Sequence, residues 1–299
     1  MDYRDFLARH FETNADLTIA VHPCRAEEAE GFGLLKTGDG GRIVEFKEKP
    51  KGDALEAMRV DTTQFGLTPG EAAARPYLAS MGIYVFNYAK LVDLLAHDTN
   101  SLDFGKDIIP SAIDKYAVQA HLFKGYWEDI GTIQAFYKAN LDLVTPLPQF
   151  NFFDTGSPIY TRSRYLPPSK LNDCAIEHSM ISEGCILNGV KLRQSIIGLR
   201  SRIDENVEIE DSIVMGSDYF ESLSEIGWNI DNARPHIGIG RGSTIKRSII
   251  DKNVRIGKDV RLVNSEGIEN FDAPDASYFI REGIIIVPKN ATIPDGTVI

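Results

Sequence analysis

Apolar and polar positions change their period along this chain, and the changes divide it into elements. Tyr3, Phe6, Leu7 and Phe11 recur at helical spacing and predict a helix over residues 2–11 with those four on its apolar face. The apolar run from Leu17 to His22 predicts a strand ended by Pro23. After an acidic loop (Glu27, Glu28, Glu30), residues 31–35 read as a short strand opened by glycines. The turn Gly38-Asp39-Gly40-Gly41 then predicts a hairpin into residues 42–49. In that strand Val44, Phe46 and Glu48 share one face, and Ile43, Glu45, Lys47 and Lys49 the other. Residues 56–75 are weakly patterned and predict loop or irregular helix, whereas 77–86 predict a buried strand containing Ser80. A helix aligning Tyr88, Leu91, Val92 and Leu95 and a short helix over 106–113 follow. Alternation of Val118, Ala120 and Leu122 with Gln119, His121 and Phe123 predicts a strand over 117–124. Ile130, Ile133, Tyr137, Leu141 and Val144 predict a helix capped by Thr132. Strands alternating with helices give an α/β layer architecture.

Pro146, Pro148, Pro158, Pro167 and Pro168 mark residues 145–169 as a linker, and beyond it the period changes. Ile181, Ile186, Leu192, Ile197, Ile203, Ile209 and Val214 recur at intervals of five or six. After an insertion the series resumes with Ile239, Ile245, Ile250, Ile256 and Leu262, and Ile293 and Ile299 close the chain. No helix or single strand has that period. A hexapeptide repeat does, with one aliphatic side chain pointing inward per face of a parallel β-helix. Gly184, Gly189, Gly198, Gly216, Gly240 and Gly257 fall between repeats and are expected at corners. The expected domains are therefore residues 1–145, a linker over 146–169, and a β-helix over 170–299.

Composition narrows the function. The chain of 299 residues has room for two cores, and its 43% hydrophobic and 25% charged content is ordinary for a globular protein. A formal net charge of -11 argues against a general binder of nucleic acid or anionic membrane, so a phosphate-bearing ligand must meet a local basic cluster. No apolar run approaches the roughly 20 residues of a membrane span. No signal-peptide pattern opens the chain. Cys24, Cys174 and Cys185 are sparse and lack ligand-like spacing with histidine, which disfavours disulfides and structural zinc. A cytoplasmic setting is expected, or the plastid stroma for a plant-type source.

Two stretches carry candidate chemistry. Residues 125–132 (Gly-Tyr-Trp-Glu-Asp-Ile-Gly-Thr) form a strand-to-helix junction, the kind of place where open α/β sheets bind ligands; alone, it also reads as a polar turn with a packed Trp. Lys47, Lys49 and Lys51 cluster at a strand exit. Alone, such a trio serves as a solvated edge, yet it is also the evident place for a phosphate.

The wording of the chain resembles the ADP-glucose pyrophosphorylase (glucose-1-phosphate adenylyltransferase) family, in its photosynthetic form. The resemblance runs through residues 45–52 (Glu-Phe-Lys-Glu-Lys-Pro-Lys-Gly), 77–86 (Tyr-Leu-Ala-Ser-Met-Gly-Ile-Tyr-Val-Phe), 103–105 (Asp-Phe-Gly), 125–132 and 165–168 (Tyr-Leu-Pro-Pro). It continues through 238–241 (Gly-Ile-Gly-Arg) and 289–293 (Lys-Asn-Ala-Thr-Ile). It implies a partial Rossmann-like nucleotidyltransferase domain followed by a left-handed parallel β-helix. It also implies that Glu48 meets the hydroxyls of glucose 1-phosphate and Lys49 its phosphate, with Gly33 and Ser80 lining the same pocket. Asp129 becomes one of two carboxylates holding Mg²⁺. The sugar phosphate attacks the α-phosphorus of ATP and pyrophosphate leaves, so Lys and Mg²⁺ offset charge and align an in-line displacement. Lys252 and Lys289, with Arg164 between the domains, match regulatory positions where 3-phosphoglycerate activates and phosphate inhibits. The family assembles as homo- or hetero-tetramers and serves glycogen or starch biosynthesis.

The chain departs from the family at its start. The family opens with a glycine-rich loop ending in Arg that cradles the ATP phosphates, and its other metal-binding aspartate lies a few residues before a Met-Asp-Tyr string. Here Met1-Asp2-Tyr3 is the first residue string. The resemblance thus implies that the N-terminal nucleotide-binding part is missing, and residues 1–299 alone are expected to form ADP-glucose at no measurable rate. A non-catalytic regulatory or structural subunit is the alternative. A hexapeptide acyltransferase, needing a base such as His178 or His236 at a coil interface, is a more distant one.

Overall fold

The computed structural model describes residues 1–97, 103–156 and 158–299; one position of the proline-rich linker, residue 157, lies outside them. Packing divides the chain into two compact units, Met1–Trp127 and Glu128–Ile299. No helix among the described residues is long and apolar enough to cross a membrane.

The first unit is built on a five-stranded mixed sheet of order β3-β2-β4-β1-β5: β1 (Leu17–Cys24), β2 (Gly33–Thr37), β3 (Ile43–Glu48), β4 (Tyr77–Phe86) and β5 (Val118–Leu122). Only the β1–β5 pair is parallel; β1–β4, β2–β4 and β2–β3 run antiparallel. Both faces are covered. Leu17, Ile19, Val21, Leu35, Leu78 and Val118 pack with Leu94, Ile109 and Ala112 on one side. Ala20 and Met81 meet Phe6 of the first helix (Tyr3–Glu12) on the other. Burial on both faces is why β1 reads as a continuous apolar run rather than an alternation.

Pro23 does not end β1, as the sequence predicts; it continues the antiparallel pairing opposite Leu78. Odd-numbered residues of β1 bond toward β5, and β5 pairing stops at Val21, whose carbonyl accepts from Phe123. The N–H that proline lacks falls beyond the last paired residue of β5, and the Phe123 carbonyl there is met by His22 Nδ1 instead.

Two predicted helix faces also turn out differently. In Tyr3–Glu12 only Phe6 of the four aligned apolar residues is buried, while Tyr3, Leu7 and Phe11 face solvent. In the helix Tyr88–His97 the buried position is Leu94, and Tyr88, Val92 and Leu95 are exposed. Both helices carry more apolar residues than one narrow stripe needs, so spacing alone does not select which stripe is docked.

Three histidines of this unit lie in poorly hydrated places. His10 is 6% exposed, with Nδ1 2.7 Å from Thr18 Oγ1. His22 Nδ1 is 3.1 Å from the Phe123 carbonyl, and His121 packs against Phe6. Burial holds all three below the ordinary imidazole range. A depressed folded pKa means that the unfolded chain takes up protons first on acidification. Stability is then full above roughly pH 6.5 and falls as the pH drops through that value. Urea unfolding at about pH 7.5 and pH 5.5, followed by Trp127 fluorescence in a Trp228→Phe background, should show a lower midpoint at the acid pH. Equal midpoints would contradict this account.

In the second unit three sheets form the faces of a β-helix, parallel throughout except for an antiparallel hairpin at the edge of one, with each strand two to four residues long. Leu187, Leu192, Ile197, Ile203, Ile209, Val214, Ile239, Ile245, Ile250, Ile256, Leu262 and Ile293 fill its interior. One member of the expected series is displaced: Ile186 is 40% exposed and Leu187 points inward. A two-apolar string leaves either register open, and period-2 side-chain alternation lets only one residue face in. Gly184, Gly189 and Gly216 do take left-handed backbone at corners, but so do Asp173, Asn206, Asp211, Asn253, Asp259 and Asn290. Asx side chains tolerate that conformation best after glycine.

The helix Ile133–Asp142 belongs to this unit. Tyr137 packs with Ile213, Ile249 and Ile284, and its hydroxyl donates to the Asp211 carbonyl at 2.5 Å. Packing therefore divides the chain upstream of residue 145, where the composition shift falls. The helix is shorter than its apolar period, because Ile130 lies in the preceding turn and is exposed. Thr132 caps it, accepting from the Ala135 N–H at 3.1 Å.

Candidate functional site

Within the first unit, four of the residues singled out in the sequence converge where β2, β3 and β4 lie side by side. Gly33 opens β2 directly opposite Glu48 at the end of β3. A methyl group at Gly33 would lie 2.5 Å from Phe46 Cζ and 2.8 Å from Glu48 Oε2. Glycine is therefore required for the Glu48 carboxylate to fold back over β2. Lys49 follows in a left-handed conformation (φ 46°), and its N–H donates to the Phe32 carbonyl at 3.1 Å. A lysine adopts that backbone only where its surroundings enforce it, a form of strain that clusters at ligand sites.

Ser80 reaches the same region through a bulge in β4. Opposite β1, Ile19 pairs with Tyr84 and Val21 with Ser80, so β4 carries two extra residues around Gly82, which has φ 71°. The bulge re-aims the strand so that Ser80 and Tyr84 lie together. Burial pushes the Tyr84 phenol upward despite its hydrogen bond with Ser80, and the charges of Glu48 and Asp103 add to the rise.

Asp103, Gly105 and Tyr84 belong to this cluster as well and were given no role by the sequence. Asp103 caps a π-helical turn, Phe104–Ile108, accepting from the N–H groups of Gly105 at 2.8 Å and Lys106 at 3.0 Å. Those bonds, the Lys106 N–H foremost, hold its carboxyl below the usual range, and the Lys49 charge acts in the same direction. A methyl group at Gly105 would lie 2.8 Å from Glu48 Oε2, so two glycines make room for one carboxylate. Tyr84 stacks on Phe104 at 5.9 Å and forms the aromatic wall. The Asp-x-Gly string before a helix was the available signal for this corner.

The lysine trio does not act together. Lys47 sits opposite Leu34 and pairs with Glu45 at 3.1 Å, as does Lys36. Among the described residues the side chains of Glu48 and Lys49 form no ion pair with each other or with any neighbour. A carboxylate, an ammonium and a hydroxyl thus stand beside an aromatic wall, a donor and acceptor set suited to a sugar phosphate.

Trp127 ends the first unit, packed against Phe32 and His22 at ring distances of 5.2 and 5.7 Å. Asp129 lies in the second unit and is exposed, with Oδ1 accepting from the Gly131 N–H at 3.0 Å. No group of three or more His, Cys, Asp or Glu able to hold a metal occurs among the described residues. One exposed carboxylate with a free oxygen still fits Mg²⁺, which is often held by one or two carboxylates and substrate phosphates.

In the second unit Lys252 and Lys289 meet at one corner of successive coils. Their ammonium groups approach the two oxygens of Asp218, at 3.2 and 2.7 Å. Arg164 is exposed and donates to the Arg162 carbonyl, and no contact joins it to the lysines among the described residues. His236 is fixed between Asp204 (2.9 Å) and the Ile237 carbonyl (2.8 Å). His178 is an exposed corner residue with φ 44°.

Comparison with known families agrees with this layout. Residues 1–145 match the nucleotidyl transferase family. Residues 164–298 match the GLGC left-handed parallel beta-helix domain. The tandem of the two gives the chain a GLGC-like architecture.

Proposed function

We propose that this chain serves glucose-1-phosphate adenylyl transfer, the reaction of ATP with glucose 1-phosphate that yields ADP-glucose and pyrophosphate for glycogen or starch synthesis. The observation that carries the reading is Glu48 and Lys49, without an ion-pair partner among the described residues, set between Gly33 and Gly105 at the end of β3. Glu48 accepts hydrogen bonds from sugar hydroxyls, Lys49 meets the phosphate, and Ser80 completes the pocket beside Tyr84. Asp129 would hold Mg²⁺ together with the nucleotide phosphates, and the ion would supply charge neutralisation for the displacement. The protein's own contribution to the sugar side is positioning: a phosphate oxygen fixed by Lys49 needs no covalent help from the chain to become an in-line nucleophile.

The lysines at Asp218 carry the second part of the reading, an anion site for a phosphorylated effector such as 3-phosphoglycerate or for phosphate, with Arg164 as a further basic group and a tetramer as the working assembly. Titration calorimetry with glucose 1-phosphate, glucose 6-phosphate and galactose 1-phosphate tests the first part. Glucose 1-phosphate should bind most tightly, and Glu48→Gln should weaken it. Equal affinity for all three, unchanged by Glu48→Gln, would refute the pocket assignment.

A further inference from the structure

Lys252 and Lys289 are already neutralised in part by a group that sequence spacing does not connect to them. Three consecutive coils stack at one corner: the Asn253 N–H donates to the Gly216 carbonyl at 3.1 Å, and the Asn290 N–H to the Lys252 carbonyl at 3.0 Å. Asp218 leaves the first coil just after that corner. Its Oδ1 accepts from Lys252 Nζ, and its Oδ2 from Lys289 Nζ and, at 3.1 Å, from Asn253 Nδ2. Its own N–H donates to Asn253 Oδ1 at 2.8 Å, which fixes the backbone independently of the carboxylate. Lys289 foremost, then Lys252, hold the Asp218 carboxyl far below its usual range, and the same contact raises the Lys289 ammonium. The three charged side chains are nevertheless 39–49% exposed, so the arrangement is open to exchange with a dissolved anion.

Building on the lysine-pair reading above, we propose that Asp218 is the specificity-determining residue of that anion site, restricting it to dianionic phosphates, free or esterified. The carboxylate occupies the position between two ammonium groups that a ligand must take. A monovalent anion displacing it leaves two positive charges facing one negative, as before, and gains nothing in exchange. A dianion brings one further negative charge and more acceptor oxygens to the same two donors. Asp218 therefore sets a charge threshold, rejecting carboxylates and halides that a bare lysine pair would admit.

The test is titration calorimetry at constant ionic strength and about pH 8, where inorganic phosphate is mainly dianionic. The probes are inorganic phosphate and acetate, applied to the parent chain, Asp218→Asn, Asp218→Ser and Lys289→Ala. In the parent, phosphate should bind and acetate should not. Both Asp218 variants should bind phosphate at least about fivefold more tightly and should begin to bind acetate. Lys289→Ala should lose phosphate binding. Lysine-dependent phosphate binding that Asp218→Asn and Asp218→Ser leave unchanged or weaken would overturn the threshold while leaving the anion site standing. Phosphate binding that is absent, or indifferent to Lys289→Ala, would overturn the anion site and the threshold with it.

Discussion

Replacing Lys49 by alanine is expected to weaken glucose 1-phosphate binding by about 10- to 100-fold, the usual worth of a charge-assisted contact. The change deletes one ammonium at the end of β3 and leaves Gly33, Glu48 and Ser80 in place, so sugar recognition should persist while phosphate recognition fails. In a form of the enzyme that also carries a nucleotide-binding part, the KM for glucose 1-phosphate should rise far more than that for ATP, because the lost interaction involves one substrate only. Alanine also tolerates the left-handed backbone of position 49 no better than lysine does, so relief of strain is not a rival explanation. Calorimetry on Lys49→Ala with glucose 1-phosphate, beside its KM values, decides the matter. An equal loss toward both substrates would show that Lys49 does not meet the sugar phosphate.

The second large effect concerns stability. Arg255 and Glu221 form an ion pair at 2.8 Å with side chains only 8% and 5% exposed. Glu221 is also held by Asn229 Nδ2 at 2.7 Å and by the Ile237 N–H at 2.9 Å, and Arg255 donates to the Pro235 carbonyl at 2.7 Å. The pair ties the inserted helix Leu223–Asp231 to the coils. Arg255→Ala strands a buried carboxylate, a change that costs about 3–5 kcal/mol. For a unit of this size that corresponds to a thermal midpoint lower by roughly 6–20 °C. Arg255→Leu combined with Glu221→Met removes both charges and should recover most of the loss. A double variant no more stable than the single one would mean that the hydrogen bonds around Glu221, rather than the uncompensated charge, dominate.

The repeat architecture was legible because a period near six belongs to no other regular structure, and most inward positions fell where that period puts them. Legibility failed where neighbours are equally apolar. Ile186 and Leu187 satisfy the spacing equally well, and only three-dimensional packing chooses between them. The same ambiguity misassigned the docked faces of Tyr3–Glu12 and Tyr88–His97, whose surplus apolar residues offer several stripes.

Gly33, Glu48, Lys49 and Ser80 were singled out through the resemblance, and the structure brings them together at one corner. Asp103, Gly105 and Tyr84 were missed because their part is to shape the surroundings of Glu48, through a capped turn and a bulge. Lys47 was grouped with Lys49 because adjacent positions look alike in a string. Lys47 pairs with Glu45 within β3, whereas Lys49 lies past the end of the strand, where its left-handed backbone turns it away from that face. Asp218 could not have been foreseen, since its meeting with Lys252 and Lys289 depends on how an inserted segment leaves its coil.

The stacking of coils has one more consequence. Ser248 lies beside Ile285 and Asn253 beside Asn290, each 37 positions later, because the antiparallel hairpin of Asn270–Asp272 and Phe279–Arg281 is looped out between neighbouring rungs. The rungs keep their phase whatever the length of that detour. Foreign sequence spliced into the hairpin tip between Ala273 and Tyr278 should leave Lys252 and Lys289 facing each other, which makes the tip an address for a reporter module that does not disturb the corner.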